Sequence, residues 1–214
     1  MKIGVFDSGI GGEAVAKSLE SAFPKATIIT VNDKANVPYG DKSSKDVIRL
    51  TDTAIQPLLQ EKCSIIILAC NTATALAITT LRSRYPNQKF IGIEPMIKTA
   101  SELTKSHVIA ACATPATLAS DRYKSLIKTH GQHLTIIEPD CSNWAYMIEH
   151  DQINIDQIRS TVQNIHKQGA DVIVLGCTHY HWIKDLILQA AGSSIQVIEP
   201  SEAIASRVRH LMAL

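Results

Sequence analysis

The chain lacks an excess of charge of either sign: 21 Lys and Arg stand against 20 Asp and Glu in 214 residues, a formal net charge of +1. So even a balance offers no basic face with which to neutralise a phosphate backbone, and nucleic acid is not the expected partner. Also lacking is any apolar run near the roughly 18 residues that a membrane span needs. The N-terminal segment "MKIGVFDSGIGG" reaches Asp7 after only a short apolar stretch, too brief for the core of a secretory signal, so the expected location is the cytoplasm, with no membrane partner. Five cysteines, an odd count, stand at 63, 70, 112, 141 and 177 without a C-x-x-C pair, which points to free thiols in a reducing compartment. Low-complexity segments and long linkers are missing too. With 45% apolar residues the chain can nonetheless bury a full core, and the partner these exclusions leave is a small molecule.

What is present is alternation. Short runs rich in Ile and Val ("KIGVF", "ATIITV", "SIIILA", "KFIGI", "HVIAAC", "HLTIIE", "DVIVLG", "IQVIE") read as strands, and the stretches between them, such as "SKDVIRLTDTAIQPLLQEK" and "DQIRSTVQNIHKQG", carry apolar residues at helical spacing. Strands apolar on both faces with helices between them predict an α/β protein with mainly parallel sheets flanked by helices. In such sheets ligands sit beyond the carboxyl ends of the strands. Polar residues gather there: Asp7, Ser8 and Gly9 after the first run, Asn32, Asp33 and then Pro38, Tyr39 and Gly40 after the second, and Cys70, Asn71 and Thr72 after the third. In the second half, Thr114, Cys141, and the trio Cys177, Thr178 and His179 hold the corresponding places. Ile-Glu-Pro occurs at 93 to 95 and again at 198 to 200, each time ending a strand, and both are read as domain crossings. The expected division is residues 1–93 plus 196–214 as one α/β domain with the C-terminal helix, and 94–195 as the second.

"IIILACNTAT" and "VIVLGCTHYH" repeat one pattern half a chain apart, ending on Cys70 and Cys177. Thiols beside strands are usually small core hydrophobes, a reading that suits Cys63 and Cys112. Cys70 and Cys177 are each followed at once by polar residues and by a predicted helix, whose N-terminus favours a thiolate. Several chemistries are open to such residues. Cys177, His179 and His181 could ligate a metal, though their spacing suits a strand face rather than the start of a helix. A Cys–His hydrolase would leave one cysteine unexplained. Matched thiols suit proton transfer between the two faces of a carbon, where each group must act as base in one direction and acid in the other. No nucleotide fingerprint or Schiff-base lysine motif points to a cofactor as electron sink. The competing signal is Gly9, Gly11 and Ala14, which match G-x-G-x-x-[G/A], with Asp33 near the end of the second strand as a ribose acid; Asp7 at the mouth of that turn would repel a pyrophosphate.

In order and spacing, "GVFDSGIGG", "VPYG", "ACNTAT" and "LGCTHY", supported by "ATPATLASDRY" and "IEPSEAIASRV", resemble the bacterial glutamate racemases over nearly the whole chain. The resemblance implies two similar domains related by a pseudo-twofold axis, an active site in the cleft between them, no cofactor and no metal. The activity implied is interconversion of L- and D-glutamate to supply D-glutamate for peptidoglycan, by a chain that can form a homodimer. It makes Cys70 and Cys177 the catalytic acid/base pair, with Asp7, His179 and Glu149 as assisting groups. Substrate-binding positions are Asp7, Ser8, Pro38, Tyr39, Gly40, Asn71, Thr72, Thr114, Thr178 and His179. Asp7, Ser8, Asn71, Thr72 and Thr178 are equally good helix N-caps, and Glu149 equally an exposed helix residue. Superfamily members that act on aspartate tend to carry a His soon after the first Cys-Asn-Thr and a Glu in place of His179, so Thr74 and His179 match the glutamate branch. Departures from the family pattern are Lys34 and Asn36 before Pro-Tyr-Gly, the lack of a Pro after Cys141, and a short chain. The alternatives are a racemase for aspartate or another amino acid, a silent amino-acid-binding protein, and a dinucleotide-dependent oxidoreductase.

Overall fold

A computed structural model describes residues 1–213 and divides the chain into two compact units. The first comprises Met1–Glu94 and the C-terminal stretch from Pro200. It runs β1 (Lys2–Asp7), α1 (Gly11–Ala22), β2 (Thr27–Asn32), α2 (Ser44–Ala54), α3 (Gln56–Gln60), β3 (Ile65–Leu68), α4 (Asn71–Arg84) and β4 (Lys89–Gly92). The second, Pro95–Glu199, runs α5 (Ile97–Leu103), β5 (Val108–Ala113), α6 (Pro115–Ala119), α7 (Asp121–His130), β6 (Thr135–Ile137), α8 (Trp144–Glu149), α9 (Ile155–Lys167), β7 (Val172–Gly176), α10 (Lys184–Ala191) and β8 (Gln196–Ile198). Helix α11 (Ser201–Met212) then returns to the first unit, where Ile204, Ala205 and Val208 join its core.

Each unit holds a four-stranded parallel sheet in one and the same order, β2-β1-β3-β4 and β6-β5-β7-β8. Period-two alternation explains why both faces are covered. Ile3, Val5, Ile65 and Ile67 face Val15, Leu19, Ile204 and Val208, while Phe6, Ile66 and Leu68 face Val47, Leu58, Ala77 and Leu81. Each such Ile or Leu, fully buried, contributes about 1.5–3 kcal/mol to the core. In the second sheet Ile109, Ala111, Val172 and Val174 pack with Ile97, Ala100 and Tyr123.

This order has a chemical consequence. The chain leaves the first strand of each sheet toward one edge and reaches the third on the other side, so the loops after neighbouring first and third strands diverge. A crevice opens at their carboxyl ends. The residues there are Asp7–Ser8 beside Cys70–Asn71 in the first unit, and Thr114 beside Cys177–Thr178 in the second.

Three expectations need correction. The return crossing comes at Pro200 rather than at 196, because β8 pairs with β7 and Ile198 belongs to the second core. The predicted helix after Cys177 is instead a 3-10 turn over Thr178–Ile183, and the regular helix α10 starts only at Lys184. The long helical stretch after Ser44 is also split at Ile55, since Pro57 has no N–H for Thr53 and its ring crowds that carbonyl.

Candidate active site

In the first unit, Asp7 ends β1 fully buried, and its Oδ2 accepts the Gly12 N–H at 2.6 Å. The carboxylate thereby does the capping that Ile10, at the N-cap position of α1, cannot. Only glycine fits at position 12: a Cβ there would lie 2.6 Å from Asp7 Cβ. The helix terminus that a dinucleotide pyrophosphate would need is thus taken up by the protein's own carboxylate.

Cys70 forms the N-cap of the 14-residue helix α4, and its sulfur accepts the Ala73 N–H at 3.4 Å. Ser8 Oγ lies 3.3 Å from Cys70 Sγ, with either atom able to donate. The sulfur therefore stands where helices hold anions, at the positive end of the backbone dipole. Next to it Asn71 is 4% exposed and both its amide atoms lack a hydrogen-bond partner. An orphaned amide beside a thiol is costly unless something else binds there. Thr72 is buried in the same turn. Tyr39, buried and flanked by half-buried Pro38 and Gly40, donates its hydroxyl to Asp33 Oδ2 at 2.7 Å, while Asn36 Nδ2 donates to Asp33 Oδ1 at 2.9 Å. Burial, and then the Asp33 carboxylate, push the phenol well above its usual range and keep it protonated.

In the second unit, Cys177 follows β7 in extended conformation and caps nothing with its side chain. Its Sγ lies 3.8 Å from His179 Nδ1, and His179 Nε2 lies 2.7 Å from Glu149 Oε2. With Nε2–H donated to the carboxylate, Nδ1 is left to face the sulfur as acceptor. Glu149 reaches the imidazole because α8 is anchored to the turn. Trp144 packs edge-on against Tyr180 at 5.2 Å, and the Tyr180 hydroxyl donates to the Cys141 carbonyl at 2.9 Å. His179 and Glu149 are both sequestered, with side chains 4% and 9% exposed. Thr178 is buried, and Thr114 Oγ1 lies 3.0 Å from Thr117 Oγ1.

The residues singled out in the sequence therefore form two clusters, Asp7, Ser8, Cys70, Asn71 and Thr72 in one unit and Glu149, Cys177, Thr178 and His179 in the other. Sequence reasoning missed the support that Asp33 and Asn36 give Tyr39, although their spacing at 33, 36 and 39 fits successive 3-10 turns, and it missed Thr117 behind Thr114. Cys141 contacts Cys112, and that hydrogen bond together with burial pushes its thiol far up, so it stays protonated. His181, raised above as a metal ligand with Cys177, faces Glu199 at 3.9 Å. Among the described residues no group of three His, Cys, Asp or Glu is placed to hold a metal ion.

Each unit thus places a thiol just after its third strand, beside its own set of polar neighbours. The chain belongs to the Asp/Glu/Hydantoin racemase family, whose model matches residues 3–208. Within that class it is similar to proteins named glutamate racemase. It is 34% identical over 215 residues to the one from Herpetosiphon aurantiacus, covering 99% of this chain and 84% of that one. Among solved structures, Escherichia coli glutamate racemase in complex with L-glutamate and the activator UDP-MurNAc-Ala superposes with a TM-score of 0.89 at 25% identity, over 99% of this chain and 82% of that one. Francisella tularensis glutamate racemase in complex with D-glutamate gives 0.83 at 28% identity, over 99% and 81%. Among the described residues no helix is long and apolar enough to cross a membrane.

Proposed function

We propose that the protein interconverts L- and D-glutamate by two-base proton transfer at the α-carbon, with Cys70 and Cys177 serving opposite faces and no cofactor involved. The observation that carries this reading is the placement of both thiols after the third strand of two sheets of identical order, each beside a different set of polar groups. In one direction a thiolate removes the α-proton while the opposite thiol delivers its own, and in the other direction the roles exchange. Asp7 and Ser8 assist Cys70, and His179, oriented by Glu149, assists Cys177. The carbanion formed pushes charge onto the α-carboxylate, which calls for fixed donors: the N-terminus of α4, the Asn71 amide, and the hydroxyls of Thr72, Thr114 and Thr178, while Tyr39, its own proton held by Asp33, shapes the substrate-binding turn with Pro38 and Gly40. Such donors bind the two carboxylates of an acidic amino acid without a cluster of cations, which fits a chain of net charge +1. The product D-glutamate would serve peptidoglycan synthesis in the cytoplasm.

The test is deuterium uptake at the α-carbon of L- and of D-glutamate, read together with optical rotation. The parent protein should exchange and invert. Cys70→Ser and Cys177→Ser should each lose inversion on the order of a thousandfold. A parent protein that inverts aspartate and leaves glutamate untouched would move the substrate assignment. One that turns over neither would leave an amino-acid-binding protein.

A further inference from the structure

His181 is a buried imidazole that this chemistry leaves unused. Its side chain is 6% exposed, and its Nε2 has no hydrogen-bond partner. Glu199 Oε2 stands 3.9 Å away, beyond hydrogen-bonding distance but within ion-pair reach. On its other oxygen Glu199 receives Lys184 Nζ at 3.5 Å. Glu199 closes the second unit directly after β8, whereas His181 lies in the turn that begins one residue after Cys177. A buried, unbonded nitrogen is costly, and here about an ångström separates it from a carboxylate that would satisfy it.

We propose that His181 is a positioning residue whose protonation draws it into a hydrogen bond with Glu199 and clamps the Thr178–Ile183 turn, with Cys177 and His179, onto the end of β8. The groups around it set when this happens. Burial acts most strongly and pushes the imidazole below its ordinary range, Glu199 from the end of β8 pulls it back up, and Lys184 of α10 and His179 of the same turn push it down. Glu149 of α8 faces His179 instead. The turn is therefore unclamped near neutrality and clamped in acid. The unfolded chain takes up this proton more readily than the fold does, so protonation lowers global stability while it tightens the local contact.

Two variants test the clamp. In Glu199→Gln, the ring resonance of His181, followed by NMR in histidine-labelled protein, should titrate at lower pH than in the parent; an unmoved midpoint overturns the proposal. In His181→Phe, kcat for glutamate should match the parent within about twofold near neutrality and fall about threefold below it on the acid side, with KM unmoved. Superimposable kcat profiles overturn it as well. If His181→Phe does not fold, Glu199→Gln supplies the same kinetic comparison. The kinetic arm rests on the glutamate racemase reading, and the resonance arm does not: a protein inert toward glutamate would remove that reading while the NMR titration still decides the clamp.

Discussion

The two units share strand order, the site of their cysteine and the direction of every strand, yet they surround that cysteine by different means. In the first, the thiol sits on the N-terminus of a long helix, accepts a main-chain N–H and shares a hydrogen bond with a serine hydroxyl. In the second, the turn after the thiol is 3-10, no backbone group bonds to the sulfur through a cap, and an imidazole backed by a carboxylate stands in. The acids differ in origin as well. Asp7 comes from the end of the first strand, whereas Glu149 comes from a helix between the second and third strands. A duplicated fold thus fixes where a thiol goes, but not what tunes it. Main-chain dipoles serve one thiol and a side-chain pair serves the other.

If that contrast holds, the second cluster is the more easily broken by point substitution. His179→Gln should lower kcat on the order of a hundredfold, most in the direction in which Cys177 is the base, with KM falling alongside so that kcat/KM stays equal in the two directions, as the equal stability of the enantiomers requires. Glu149→Gln should cost about tenfold and shift the kcat profile in pH, since it leaves the imidazole in place without its orienting charge. Comparing kcat at saturating L- and D-glutamate checks this, and equal kcat losses in both directions with an unmoved profile would remove the assigned asymmetry. In the first cluster the vulnerable point is backbone. Gly12→Ala puts a carbon 2.6 Å from Asp7 Cβ and should destabilise the protein by about 2 kcal/mol while displacing the acid. Thermal unfolding together with turnover would show both effects, and a variant as stable and active as the parent would mean that the loop can give way.

How much of this was legible beforehand follows the same division. Strands such as "SIIILA" and "DVIVLG" are apolar throughout and bounded by polar turns, so β3, β7 and the residues after them could be read from pattern alone. The motifs carried Cys70, Cys177, Asp7 and His179 as candidates. Distances between elements were not legible. That Glu149 meets His179 depends on Trp144 docking on Tyr180, and that Tyr39 is held by Asp33 depends on two 3-10 turns, contacts that no periodicity encodes. The turn after Cys177 misled because "THYHWI" looks able to continue as a helix. The 3-10 turn stacks Tyr180 and Ile183, three residues apart and both buried, on one side of the segment. The Ile-Glu-Pro at 198 to 200 marks the return crossing, whereas the domain bound at 196 falls inside β8, whose pairing with β7 keeps it in the second unit.

The contrast extends to the opposite ends of the sheets, where the smallest effect is expected. At the start of β1 the first unit uses an exposed ion pair, Lys2 with Glu61 at 2.7 Å, and such pairs contribute little. Ahead of β7 the second unit uses Asp171, which accepts the Thr104 hydroxyl at 2.5 Å and the N–H groups of Lys105 and Ser106 at 2.6 and 2.9 Å. Burial pushes this carboxyl up, but the bonds from Thr104, Lys105 and Ser106 outweigh it and hold it at about 2, below its ordinary 3.8. A carboxyl depressed in the fold stabilises it above the unfolded value, and the contribution is lost as pH falls from about 4 toward 2. Discounted for solvent screening, it is worth ~1 kcal/mol. Asp171→Asn should therefore lower the urea midpoint near neutral pH, with the gap to the parent closing toward the acid end of that window, while Glu61→Gln shifts it little at either pH. A gap for Asp171→Asn that persists unchanged in acid would mean that the clamp works through its shape and not its charge, and the two sheet ends would then differ only in how tightly they are packed.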